Sequence, residues 1–225
     1  MLEQYRRLKA EHPRSILLFR MGDFYETFGE DALIASRVLG IALTSRDKKR
    51  DPMPLAGVPH HAVEGYLKRL VESGYSVAIA EQMESAETAK GLVAREVVEV
   101  VTPGTVTRPS LLESTESNYI VALLPAEAAV GAAVAEVSTG EFRMGTLSAA
   151  ELPDLLLRYP AREILLPEAG ALGPDGKGGE ALDALGRSLG ADGAAVLPRT
   201  RWGRERFDAR SGRAALERKF GVRDL

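Results

Sequence analysis

The run Leu17-Leu18-Phe19-Arg20-Met21, broken by Gly22-Asp23 and resumed as Phe24-Tyr25-Glu26-Thr27-Phe28, constrains the fold more than any other stretch. Its first half is apolar with almost no alternation, the pattern of a strand covered on both faces. Gly22 and Asp23 interrupt it where a bulge or a tight bend fits. If the backbone stays extended beyond the break, Phe24 and Glu26 project from one face and Tyr25 from the other. An aromatic ring and a carboxylate side by side at a strand's exit make an unusual core pair. They suit a surface that inserts a flat ring into something and reads a polar edge beside it. The plainer reading stands next to that one: a Phe beside a Tyr in a strand is ordinarily packing, and a neighbouring Glu is ordinarily solvated.

Around this stretch the pattern alternates between helix and strand. Leu2, Tyr5 and Leu8 recur at helical spacing and Pro13 closes that helix. Gly29 to Leu39 predicts a second helix with Ala32, Leu33, Ile34 and Ala35 on its apolar side, ended by Gly40. Ile41-Ala42-Leu43 reads as a short strand, and Arg46-Asp47-Lys48-Lys49-Arg50-Asp51 as an exposed loop, the densest basic cluster in the chain. Val63, Tyr66, Leu67, Leu70 and Val71 predict a third helix after Pro59, ending at Gly74. His60 and His61 then fall in its first turn, near a positive helix end able to hold an anion. As metal ligands they are poor, since adjacent histidines do not converge on a helix. Tyr75 to Gln82 and Arg95 to Val101 complete a mixed sheet.

Thr102-Pro103-Gly104-Thr105 and the polar residues that follow mark a boundary. The expected organisation is a domain over 1–110, a linker over 111–117 and a second domain over 118–225. The second opens with a strand at Tyr119 and a hairpin of Val130–Val137 with Glu141–Leu147. Ser148 follows as N-cap of a helix, with Glu151 as its capping-box partner and Pro160 as its stop, and Glu163–Leu166 is a further strand. Hairpin, helix, strand is the opening of an RNase H-like sheet. Ala169 to Gly193 reads as a surface excursion, and Arg204 to Phe220 as a charged helix. The fold class is therefore α/β: an α+β mixed-sheet domain, then an RNase H-like α/β domain.

Composition narrows the chemistry. The 225 residues include no cysteine, which removes disulfides, thiolate metal sites and a cysteine nucleophile. Met1 to Ala10 has no apolar segment of a secretory signal, and no run approaches the ~18 apolar residues that span a bilayer. The net charge of −3 gives no global basic footprint, so any contact with a polyanion must be local. Phosphate-loop, dinucleotide-binding and nucleophile-elbow motifs are missing. A nuclease on an RNase H-like sheet needs several carboxylates around two metals, and only Glu136 and Glu141 are near one another. A binding module fits better than an enzyme; a metal-dependent nuclease and a protein–protein scaffold with Phe24 in its core remain the rivals.

The segments G-D-F-Y-E at Gly22–Glu26 and P-L-A-G-V-P-H-H-A-V-E at Pro54–Glu64 resemble the N-terminal part of the MutS family of DNA mismatch-repair proteins. V-T-P-G-T at Val101–Thr105, V-S-T-G-E-F at Val137–Phe142 and F-G-V-R-D-L at Phe220–Leu225 extend the resemblance, in the right order, over essentially the whole chain. It implies a mismatch-recognition domain over 1–110 and a connector over 118–225 that could lack its last elements. It also implies an N-terminal fragment without the lever, clamp and ATPase regions. On that reading the fragment carries no cofactor and hydrolyses no ATP, because ATP and Mg belong to the missing ATPase domain. The partners implied are duplex DNA with a mismatch or small insertion loop, and a MutL-type protein through the connector. The parent is a dimer in the bacterial cytoplasm, with no membrane contact.

The resemblance also assigns roles. Phe24 matches the ring that enters the minor groove and stacks beside the mispaired or unpaired base; such wedges kink the duplex by tens of degrees. Glu26 matches the carboxylate that hydrogen-bonds the displaced base, and the negative field of the groove favours its protonated form, which could donate to a ring nitrogen. His61 falls where the family places a DNA-contacting side chain. Some relatives carry Arg there, so His61 is expected to be a weaker, pH-dependent contact. Arg46, Lys48 and Lys49 are candidates for phosphate positioning or else a solvated loop. Met21 and Leu55 flank the wedge or belong to the core.

Overall fold

The computed structural model describes residues 1–45, 53–84, 93–106, 117–126, 129–168 and 199–221. The chain divides into two compact units, Met1–Ser114 and Thr115–Leu225.

The first unit runs α1 (Leu2–Glu11), β1 (Ser15–Met21), β2 (Phe24–Phe28), α2 (Glu30–Leu39), β3 (Thr44–Ser45), β4 (Pro54–Pro59), α3 (Val63–Glu72), β5 (Ser76–Gln82) and β6 (Arg95–Val101). Its six strands lie in the order β3-β4-β2-β1-β5-β6. β1 is parallel to β5, and the other neighbours are antiparallel. The unbroken apolar run of β1 is explained by its place in the middle. Leu18 faces Tyr25, Val58 and Ile79 under α2 and α3, while Leu17 and Phe19 face Tyr5, Leu8 and Phe28 on the α1 side. Two cores therefore share one sheet.

The α1 side is pinned by Asp31, a buried carboxylate that accepts from Lys9 Nζ at 2.7 Å, from the Leu17 amide at 3.0 Å and from the Tyr5 hydroxyl at 3.1 Å. One side chain thus joins α1, β1 and α2, and each of its bonds satisfies a group that burial would otherwise penalise.

Two local expectations are corrected. Ile41–Leu43 forms no strand; the strand is Thr44–Ser45, paired with Pro54 and Leu55. The carbonyl of Ile41 is taken by Ser36 Oγ at 2.7 Å and its side chain packs against the core beneath α2 and α3, which leaves this segment bound to the helix rather than to a neighbouring strand. The histidines are not in the first turn of α3 either. His60–Ala62 is a 3₁₀ turn before it, and the His60 amide is already committed to the Asp23 carbonyl at 2.8 Å.

The second unit runs β7 (Tyr119–Pro125), β8 (Val130–Glu136), β9 (Glu141–Leu147), α4 (Leu152–Arg158), β10 (Ala161–Pro167), β11 (Arg199–Trp202) and α5 (Ala209–Phe220). The strand order is β11-β10-β7-β8-β9, with β7, β8 and β9 antiparallel and β10 parallel to both β7 and β11. Both units are mixed-sheet α+β structures. The Ser148–Glu151 capping box is present, with the Ser148 amide donating to Glu151 at 2.8 Å. It opens a 3₁₀ turn that leads into α4, where Leu152 enters the core with Val121, Leu123, Ile164 and Leu166. The predicted excursion over 169–193 lies outside the described residues.

Candidate nucleic-acid interface

The break in the opening run is a two-residue turn. Met21 and Phe24 are directly paired, Gly22 has φ +60°, and Asp23 keeps a negative φ. Glycine at the first central position is what a type II′ turn requires, and this turn matches the natural twist of the strands it joins. β2 then alternates as expected: Phe24 is exposed at 48%, Tyr25 is buried at 3%, Glu26 is half-buried and Thr27 is buried.

The buried side of the turn is fastened across three strands. The Tyr25 hydroxyl on β2 donates to Glu81 on β5, and Arg20 on β1 lies between them. Arg20 approaches Glu81 Oε2 at 3.8 Å and stands 5.5 Å over the Tyr25 ring, while its Nε donates to the Gly22 carbonyl. Burial, and then the bond to Glu81, push the Tyr25 hydroxyl up to about 12. Arg95, buried at the start of β6, donates to the carbonyls of Arg20 at 2.6 Å and Val93 at 2.8 Å and lies 5.0 Å over the Phe19 ring. The His60 ring lies 5.6 Å from that of Tyr25. The Tyr25 side of the turn is thus tied by Arg20 and Glu81, while Arg95, over Phe19, lies on the face that carries Phe24 and Glu26.

The strand register places the remaining candidates. Phe24 lies between Met21 on β1 and Pro59 on β4, so half-buried Met21 flanks the ring. Glu26 lies between Phe19 and Gly57. Leu55 sits opposite Phe28, at the far end of β2 from Phe24, and packs against the core on the α1 side. His61 is exposed in the 3₁₀ turn that follows Pro59, at the same end of the sheet as Phe24. Arg46, Lys48 and Lys49 lie outside the described residues. Sequence reasoning passed over Arg20, Arg95, Glu81 and Gly57. The first three matter through partners distant in the chain, which no local pattern reveals. Gly57 lies in Pro54–Pro59, a stretch the sequence analysis did not read as a strand, so its place opposite Glu26 became visible only in the folded sheet.

The acids of the second unit do a different job. Glu136 accepts from the Asn118 amide at 3.0 Å, from Ser138 Oγ at 2.8 Å and from the Thr139 amide at 2.6 Å. Burial opposes its charge, but the bonds from Thr139, Asn118 and Ser138 outweigh that and hold its carboxyl at about 2. Its lone pairs close the β8–β9 turn. Glu141 is engaged by Arg143 at 2.6 Å and by Tyr119 at 3.2 Å. Among the described residues no group of three or more His, Asp or Glu side chains is arranged to hold a metal ion.

Two mixed-sheet α+β units, the first presenting an exposed ring at a fastened turn, define the class of protein. Residues 1–110 match the family model "MutS domain I". The chain is 46% identical over 169 residues to the DNA mismatch repair protein MutS of Methanothrix thermoacetophila, covering 74% of this chain and 20% of that protein. It is 48% identical over 178 residues to the MutS of Desulfosudis oleivorans, covering 76% and 20%. Against the MutS of Desulforapulum autotrophicum it is 41% identical over 232 residues, covering 100% of this chain and 25% of the relative. The chain belongs to the MutS family. It spans about a fifth to a quarter of the length of these relatives.

Proposed function

We propose that the first unit recognises mismatched or unpaired bases in duplex DNA by inserting the Phe24 ring, as the recognition part of a DNA mismatch-repair protein. The observation that carries this is the exposure of Phe24 at 48%, at the end of a hairpin whose other face is locked by Tyr25, Arg20 and Glu81. A ring held this way loses little freedom on insertion, and rigid placement of a contact group favours binding. Selection is by deformability: a mispair has already lost pairing and stacking, so the step beside it opens for a few kcal/mol less than an intact one. Glu26, on the same face two residues on, accepts a hydrogen bond from the displaced base or, protonated, donates one. Met21 flanks the ring. His61 and the basic residues Arg46, Lys48 and Lys49 supply phosphate contacts that are independent of sequence and weakened by salt.

The second unit is a connector that relays between recognition and ATP hydrolysis elsewhere in the parent protein and offers a surface to a MutL-type partner. The parent works as a dimer on cytoplasmic DNA, and this chain contributes binding rather than catalysis. No helix among the described residues is long and apolar enough to cross a membrane. The nuclease alternative gains no support from Glu136, whose carboxylate is bound into a turn. The test is titration of the chain at low salt with a fully paired duplex and with the same duplex carrying one unpaired thymine. Tighter binding of the second is the expected result; equal binding of the two rejects the reading.

A further inference from the structure

β4 presents three positions to the face that carries Phe24 and Glu26: Leu55 opposite Phe28, Gly57 opposite Glu26, and Pro59 opposite Phe24. The middle one has no side chain. Its backbone does not require that, since Gly57 lies in a regular strand outside the left-handed region. Packing does not require it either. A Cβ there would stand 3.4 Å from the Tyr25 carbonyl oxygen, 3.7 Å from Glu26 Cγ and 3.9 Å from Phe24 Cδ1, all ordinary contacts. Glycine in a strand interior loses more freedom on folding than alanine, so this position forgoes stability without a structural need. Such glycines often mark a bulge, a tight bend, or close approach by a ligand or another backbone, and β4 pairs with β2 here without a register shift.

We propose that Gly57 is the floor of a nucleotide subsite, with Phe24 and Glu26 as its walls, and that it sets how large a displaced base the site accepts. The proposal rests on the reading of Phe24 and Glu26 given above. A base that Phe24 unstacks and Glu26 hydrogen-bonds lies beside both side chains, and the backbone that both side chains flank is that of Gly57. The occupant is a flat heterocycle with its deoxyribose, held by van der Waals contact with a bare peptide plane. A methyl group at this point raises the floor, and the two-ring purines meet it before the one-ring pyrimidines do.

The experiment compares the full chain with Gly57→Ala, Gly57→Val and Phe24→Ala on three duplexes: fully paired, with an unpaired thymine, and with an unpaired adenine. Thermal unfolding is followed in parallel. Gly57→Ala is expected to keep or raise the unfolding midpoint, to keep the thymine preference and to lower the adenine preference by about threefold or more. Gly57→Val is expected to lower both preferences about tenfold, towards Phe24→Ala. Should Gly57→Val fail to fold, Gly57→Ala alone decides. Unchanged preferences in a folded Gly57→Ala overturn the proposal, and so does a lower midpoint, which would make the glycine structural. If the unaltered chain shows no preference at all, or Phe24→Ala keeps it, the reading of Phe24 itself has failed instead.

Discussion

The Tyr25 hydroxyl donates to the Glu81 carboxylate across β1, beneath the turn that carries Phe24. This bond joins β2 to a strand that is not its neighbour and makes the position of the exposed ring depend on the middle of the sheet.

Replacing Tyr25 with Phe keeps the packing and removes the bond. Stability should fall by about 0.5–1.5 kcal/mol, or somewhat more because the acceptor is charged, with the fold retained. Denaturant unfolding checks the magnitude. Tyr25 also predicts an alkaline limit. Its folded value of about 12 exceeds the ordinary 10.0, so its contribution is complete below pH 10 and is lost as the pH rises towards 12. Unfolding followed by tyrosinate absorbance should show that loss in the unaltered chain and less of it in Tyr25→Phe.

Gly22→Ala tests the turn. A Cβ at Gly22 meets nothing within 4 Å, so only the φ of +60° opposes it. The expected loss is about 1 kcal/mol, read by the same denaturant titration. No loss would mean that the turn readily changes type, and the fastening described above would be weaker than its contacts imply.

Glu136→Gln tests the second unit. Its carboxyl is held at about 2 against an ordinary 4.5, so it stabilises the fold above pH 4.5 and that contribution drains away as the pH falls towards 2. The amide keeps one acceptor and turns the other into a donor facing donors. A loss of roughly 1–3 kcal/mol at neutral pH is expected, shrinking in acid. The chain's single tryptophan, Trp202, lies in this unit, so its fluorescence follows the transition.

What could be read in the sequence was what local pattern decides. The apolar run of β1, Gly22 as the break, the alternation of Phe24, Tyr25 and Glu26, and the Ser148–Glu151 cap all follow from spacing and from residues suited to special geometry. Ile41–Leu43 misled because three apolar residues look alike in a strand and in a segment laid against a core. β11 went unread because Arg199, Thr200, Arg201 and Trp202 show no apolar face, and an edge strand needs none. At the candidate site, Phe24 and Glu26 were visible as a pair. The Arg95 bond to the Arg20 carbonyl joins residues 75 positions apart, a link only the folded sheet creates.

The most direct test of the account is the fluorescence of 2-aminopurine placed beside an unpaired base, with the unaltered chain and with Phe24→Ala. An inserted ring alters the stacking of the probe, so the unaltered chain should change its emission while the folded Phe24→Ala variant changes it far less. Equal responses from the two proteins, with Phe24→Ala folded, would contradict the claim that this ring enters the duplex.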